Sequence, residues 1–135
     1  MVVIGSAAID ITAQASPSSH AGIAVHSTAP GHVGLTLGGV GRNIAEASHR
    51  VMAAMYPELS SVLLASIGRD TFGDILVSDM QACGMRTDGL SRTDDCTAVC
   101  NMVLDSNGAL VGGVADNGIT EAFTDDEVGN IYRRN

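Results

Sequence analysis

Three glycines in four positions, Gly38, Gly39 and Gly41, stand directly before a run with helical periodicity. Glycine has no Cβ atom, so a backbone built from it can approach another segment or a ligand closely. Arg42 and Asn43 follow at the predicted helix start, where a polar ligand would meet them. The run therefore predicts a strand-to-helix turn that binds a small hydroxylated or anionic molecule. It also allows a plain tight turn in which Asn43 caps the helix.

The elements around this turn repeat in a βαβα order, which predicts an α/β core with parallel strands. Strands are predicted over 2–5 and 61–67, and helices over 43–55 and 72–83. In the first helix, one face carries apolar side chains at helical spacing: Ile44, Ala47, Val51 and Met55. Four-residue spacing also predicts an ion pair between Glu46 and Arg50 on the outside of that helix. The second helix precedes Gly84, a residue suited to a left-handed C-cap.

Other extended segments do not fit a βα repeat. They are predicted at 7–13, 23–28, 32–37, 97–104 and 109–115, with a hairpin turn at 105–108. A capping box at 124–127 predicts a last helix through about residue 132. Few parallel strands would leave a bare sheet edge, so we expect the chain to be the N-terminal part of a larger fold or a truncated gene product.

Charge and cysteine content exclude several classes of partner. The net charge is −8, and all seven basic residues are arginines, which argues against binding nucleic acid or anionic membranes. Three cysteines without a metal-type pairing indicate free thiols rather than a zinc site. No apolar run approaches the ~20 residues that span a bilayer, and no signal peptide is evident. We expect a cytoplasmic protein.

Asp10 is the first candidate for ligand binding. It follows the first predicted strand, at the position where ligands bind in open α/β sheets. An ionised carboxylate there can accept hydrogen bonds from two sugar hydroxyls. The alternative is an ordinary solvated aspartate in a loop.

Three motifs in order carry a family resemblance. The run 38–45, followed by Ile67-Gly68-Arg69-Asp70-Thr71-Phe72-Gly73, resembles the N-terminal signature of the PfkB (ribokinase-like) carbohydrate kinases. The opening 3–10 is similar to that family's first strand, which ends in a substrate-binding Asp. Within the family, 38–43 and 113–120 are most similar to pseudouridine kinases. The chain departs from those kinases at Ala8, where they usually have Asn, and at Gly118, where they tend to have Asp or Asn.

The resemblance implies a fold of the ribokinase-like α/β class. This is a three-layer αβα domain with a small β-sheet lid over the sugar, and the lid would come from about 11–37 and 96–115. Residues 1–135 would then be the N-terminal substrate-binding part of the kinase domain, truncated before the C-terminal ATP-binding half.

The resemblance also implies a reaction, ATP-dependent phosphorylation of a sugar hydroxyl, such as the 5′-hydroxyl of pseudouridine or another nucleoside. The implied substrate-binding residues are Asp10, Gly38, Gly39, Gly41, Arg42, Asn43, Thr97 and Asn101. Arg42 would face either the base or a neighbouring acid. Thr97 and Asn101 would reach the substrate from the lid, or would be ordinary strand residues on a solvated face.

The family's general base is the Asp of a Gly-Ala-Gly-Asp motif, and this sequence contains no such motif. We therefore expect no catalytic residue, metal ligand or ATP site in residues 1–135, with ATP and Mg²⁺ bound by a full-length parent. The implied partner is a small sugar or nucleoside. A homodimer through the lid and a fused pseudouridine-5′-phosphate glycosidase in the parent are further implications. The alternative function is a non-catalytic sugar-binding or dimerisation module.

Overall fold

The structure, a computed structural model, describes residues 1–17 and 26–121. The strand predicted at 23–28 falls largely outside these residues, and the helix predicted at 124–132 falls outside them entirely. The strands are β1 (Val2–Ile4), β2 (Ala8–Ala15), β3 (Gly31–Gly38), β4 (Val62–Gly68), β5 (Leu90–Thr93), β6 (Ala98–Leu104) and β7 (Leu110–Asp116). The helices are α1 (Val40–Met55), α2 (Thr71–Ala82) and a 3₁₀ turn at Gly118–Glu121.

A parallel three-stranded sheet in the order β1-β4-β5 forms the centre of the fold. All seven residues of β4 are buried, as a continuous apolar strand at the middle of a parallel sheet should be. Leu63, Ala65 and Ile67 form one core with Ala45 of α1 and Leu76 of α2. Both helices therefore cover the same face of the sheet, and the α/β class with parallel strands is confirmed. The short strand β5 was not predicted, because its Leu-Ser-Arg-Thr sequence carries one apolar residue.

Helix α1 differs from its prediction in where it begins and in which face it buries. It begins at Val40, three residues earlier than expected. Its buried residues are Gly41, Arg42 and Ala45, whereas the predicted apolar face is exposed: Ile44, Ala47, Val51 and Met55. The physical reason is the close approach of the helix to the β1–β2 connection, which admits only small residues. The larger apolar side chains therefore point away from the sheet. The predicted pair between Glu46 and Arg50 is present, at 2.6 Å.

A second, four-stranded sheet has the order β3-β2-β6-β7. Strand β2 is antiparallel to β3 and parallel to β6, and β7 returns antiparallel beside β6. The extended segments at 32–37, 97–104 and 109–115 are thus confirmed as strands of one sheet. The extended segment predicted at 7–13 is also a strand of this sheet, since β2 starts at Ala8. Within the described residues, no helix is long and apolar enough to cross a membrane.

Candidate functional site

Asp10 lies inside β2 rather than just after β1, because the chain changes sheets between Ile4 and Ala8. It is half-buried. Among residues 1–17 and 26–121, its carboxylate makes no hydrogen bond or ion pair. Partly buried charged groups are normally paired, because losing hydration costs free energy that a partner must offset. The Asp10 carboxylate is therefore an acceptor whose partner a ligand can supply.

Gly38 packs directly against the Asp10 carboxylate. In the antiparallel pair, Gly38 lies opposite Ala8, so it shares a face of the sheet with Asp10. A Cβ atom built on Gly38 would lie 2.5 Å from Asp10 Cγ and 2.6 Å from Oδ1. The carboxylate thus fills the space that a side chain would need. Two residues predicted separately as ligand contacts are in direct contact here.

Replacing Gly38 with Ala is expected to displace the Asp10 carboxylate and to lower the free energy of unfolding by about 1–3 kcal/mol. Urea unfolding and the Asp10 carboxyl NMR signal would measure the two effects. Gly34→Ala is the matched control, because Gly34 lies on the same strand and face with only the tip of His32 at 4.0 Å. Equal behaviour of the two variants would contradict the packing described.

The glycine turn brings α1 against the connection between β1 and β2. Gly39 has a φ of 90°, and a Cβ there would lie 2.5 Å from the Ser6 carbonyl oxygen. A Cβ on Gly41 would lie 2.7 Å from two backbone atoms of Gly5. The Arg42 N–H donates to the Ser6 carbonyl at 2.9 Å. Gly39 is the residue at the helix N-cap, so the interpretation of Asn43 as the cap is wrong.

Arg42 contacts an acid, which is one of the two alternatives that the sequence left open. Its guanidinium donates to Asn43 Oδ1 at 2.9 Å and pairs with Glu46. Glu46 also accepts from Arg50, at 2.6 Å and 2.8 Å. The hydrogen bond from Arg50 lowers the pKa of Glu46, burial opposes that shift, and the Arg42 charge adds to it. Asn43 itself is exposed.

Thr97 is buried and hydrogen-bonded within the protein. It is 1% exposed, and its hydroxyl donates to Asp70 Oδ1 at 2.7 Å and accepts from the Gly68 N–H at 2.8 Å. Its own N–H donates to Asp70 Oδ2 at 2.8 Å. Asp70 also caps α2 by accepting from the Gly73 N–H at 2.8 Å. Thr97 therefore joins the start of β6 to the turn at 68–73, and its expected contact with substrate is not supported.

Asn101 lies on the opposite face of the four-stranded sheet from Asp10. In the parallel pair of β2 and β6, Asp10 is in register with Cys100, and Asn101 is in register with Ile11. Successive side chains in a strand alternate between faces, so Asn101 points away from the Asp10 carboxylate. The prediction for Asn101 therefore also lacks support.

Thr36 and Cys100 are the residues that sequence reasoning missed. They flank Asp10 in register on β3 and β6 and share its face. The weak alternation of 32–37 predicts a strand, but the pairing that places Thr36 beside Asp10 cannot be read from one strand. The Cys100 thiol is free and partly buried. Among the described residues, no three His, Cys, Asp or Glu side chains are grouped so that they could hold a metal ion.

Comparison with known proteins identifies the family of this chain. A sequence profile described as the pfkB family carbohydrate kinase matches residues 1–129. The chain is 30% identical over 125 residues to a pseudouridine kinase of Escherichia coli (strain K12), covering 92% of this chain and 37% of that protein.

Solved structures of other proteins share the fold, and two of them serve as examples here. A sugar kinase of Clostridium perfringens superposes with a TM-score of 0.80 at 26% identity, covering 99% of this chain and 40% of that one. A ribokinase of Giardia lamblia gives a TM-score of 0.80 at 21% identity, covering 98% and 40%. The chain thus spans well under half the length of each of these proteins, and it has their ribokinase-like α/β fold. The match over nearly all its residues shows that it belongs to the pfkB family of carbohydrate kinases.

Proposed function

We propose that this chain supplies the acceptor-binding part of a sugar kinase, with Asp10 accepting hydrogen bonds from two hydroxyls of a ribose. The observation that carries the proposal is the Asp10 carboxylate, half-buried against Gly38 and without a partner among the described residues. A vicinal diol presents two donors at the spacing of two carboxylate oxygens. The exposed Asn43 and the N-terminus of α1 follow Gly38 within five residues and would add donors for sugar oxygens.

Within a complete kinase, the reaction would be phosphoryl transfer from ATP to a sugar hydroxyl, here the 5′-hydroxyl of a nucleoside such as pseudouridine. The acceptor oxygen would bond to the γ-phosphorus while the bond to the β,γ-bridging oxygen breaks. The acceptor's proton would pass to a general base. Mg²⁺ would neutralise charge on the phosphates when bound. None of the residues discussed above supplies that base or an ATP site, so we expect the 135-residue chain to bind an acceptor without phosphorylating it.

The preference for pseudouridine rests on the glycine turn and on the match to the Escherichia coli enzyme. Ala8 and Gly118 are the departures. Ala8 is buried with Ala98 and Ile119, so the position contributes no hydrogen bond to a base or sugar. Uridine, adenosine and free ribose therefore belong in the same binding experiment.

Calorimetric titration with pseudouridine, uridine, adenosine and D-ribose would test the proposal. We expect saturable binding of at least one ribose-containing ligand, weakened about 100-fold by Asp10→Ala, because two hydrogen bonds to a charged acceptor are lost. Asp94→Ala is the matched control, since Asp94 is 98% exposed and pairs with Arg69 at the surface. Unchanged affinity in Asp10→Ala would refute the assignment of Asp10.

The alternative, an assembly module, is favoured by a different observation. The face of the four-stranded sheet opposite Asp10 carries exposed apolar residues on both edge strands: Val33, Leu35 and Val114. Leu35 and Val114 belong to one row across the sheet, because they are in register with Ile11 and Asn101. Apolar patches of this kind mark contact surfaces. Failure of the wild-type chain to bind any of the four ligands, together with dimers in sedimentation velocity, would favour this alternative.

A further inference from the structure

Arg42 occupies a position that is electrostatically unfavourable for the fold. It is 8% exposed, in the first turn of α1, where the helix dipole is positive and disfavours a cation. Its Nε–H is buried and has no hydrogen-bond partner among the described residues. A buried guanidinium with an unmade hydrogen bond costs stability rather than adding to it. We therefore look for the role of Arg42 in the residues that it contacts, Asn43 and Glu46.

The contact between Arg42 and Asn43 fixes the direction of the Asn43 amide. Arginine has only donors, so the atom of Asn43 that lies 2.9 Å from its guanidinium must be the acceptor Oδ1. The Nδ2 group, which carries both hydrogens, then points away from Arg42. Because Asn43 is exposed, its Nδ2–H groups are accessible to a ligand.

Glu46 in turn fixes Arg42. One turn further along α1, its Oε2 pairs with the guanidinium and its Oε1 accepts from Arg50. The Glu46 side chain is 18% exposed, so these ion pairs are only partly screened by water. Glu46, Arg42 and Asn43 therefore form a continuous series of contacts, in which Glu46 fixes the Arg42 guanidinium and the guanidinium fixes the Asn43 amide.

We propose that Arg42 and Glu46 are positioning residues that hold the Asn43 amide as a hydrogen-bond donor. The site then selects ligands that present an acceptor oxygen, a hydroxyl or a carbonyl, at this point. This inference rests on the proposed function, since it describes how the same site recognises its ligand. Arg42 does not touch the ligand and acts through Asn43.

A double-mutant cycle would test this with the ribose-containing ligand that binds wild type most tightly. We expect Arg42→Met and Asn43→Ala each to weaken binding about tenfold. The double variant should bind no more weakly than Asn43→Ala, because Arg42 has no effect once the amide is gone. Additive losses would show that Arg42 contacts the ligand directly and would overturn the proposal. Glu46→Gln should retain most of the affinity that Glu46→Ala loses, because Gln keeps an acceptor for Arg42.

The side-chain amide NMR signals of Asn43 give a readout that needs no ligand. In wild type we expect one orientation, and in Arg42→Met a shift of both Nδ2–H signals with faster exchange with water. Unshifted signals in a folded Arg42→Met variant would overturn the positioning role, even where no nucleoside binds. If the signals shift but the wild-type chain binds none of the ligands, the proposed function fails and the positioning of Asn43 is supported. Glu46→Ala is the second variant should Arg42→Met fail to fold.

Discussion

Replacing Asp70 with Ala is expected to lower the free energy of unfolding by about 3–5 kcal/mol. The carboxylate caps α2 and also accepts from the N–H and the hydroxyl of Thr97. Its removal eliminates the N-cap hydrogen bond of α2. It also leaves the N–H and the hydroxyl of Thr97, which is 1% exposed, without their acceptor. Because domains of this size are stable by only about 5–15 kcal/mol, the variant should be largely unfolded at moderate urea concentrations.

Urea unfolding followed by circular dichroism would measure this loss. Asp74→Ala is the matched control, one turn into the same helix, where the side chain is 72% exposed and pairs with Arg92. Exposed ion pairs contribute about 0–1 kcal/mol, so this variant should stay close to wild type. Similar losses in both variants would contradict a special role for the contact between Asp70 and Thr97.

The contribution of Asp70 should also depend on pH. Burial alone raises the pKa of Asp70, but hydrogen bonds from the Thr97 hydroxyl and from the N–H groups of Thr97, Gly73 and Phe72 outweigh it, so the pKa lies below 3.8. A depressed folded-state pKa gives stability that is present above the unfolded value and is lost as pH falls through the folded value. The difference in free energy of unfolding between wild type and Asp70→Asn should therefore become smaller as the pH is lowered below about 4.

The second large effect is expected for Gly41→Ala, which should destabilise the chain by about 3 kcal/mol. The new Cβ would lie 2.7 Å from the Cα and carbonyl carbon of Gly5 and 2.9 Å from the Ser6 nitrogen. These are backbone atoms and cannot rotate away, so α1 must move off the β1–β2 connection. That movement would also break the hydrogen bond from the Arg42 N–H to Ser6.

Gly112→Ala is the control for Gly41→Ala, because nothing lies within 4 Å of a Cβ built on Gly112. Thermal unfolding of the two variants beside wild type would separate steric overlap from the general effect of removing a glycine. A Gly41→Ala chain as stable as wild type would show that the approach of α1 to Gly5 is not tight.

The central βα units could be predicted from the sequence because their signals are local. The apolar run of β4 and the left-handed Gly84, with a φ of 78°, are recognisable within a few residues. Which face of α1 meets the sheet could not be predicted, because the pattern that indicates an amphipathic helix does not say which face packs against the sheet. Gly41 and Ala45 lie on the face that packs inward, because they are small enough to lie against the β1–β2 connection.

The parts of the candidate site that lie within one short segment of sequence could be predicted. The parts that depend on the pairing of distant strands could not. Gly38, Gly39 and Gly41 are needed for close approach, which follows from their lack of Cβ atoms. The position of Asn101 relative to Asp10 could not be predicted, because the register between β2 and β6 decides which residues share a face with Asp10. That register depends on strands far apart in sequence, and no local pattern encodes it.

The parallel pairing of β2 with β6 also sets the order in which this molecule can assemble. Asp10 belongs to one of the first strands, but its neighbour Cys100 belongs to β6, which begins only at Ala98. Contacts between segments so far apart form slowly, because a long loop must close before any pairing compensates for the lost entropy. During synthesis, β2 therefore leaves the ribosome long before its partner. The carboxylate proposed to bind the sugar acquires its final surroundings late, after the β1-α1-β4 unit has been made.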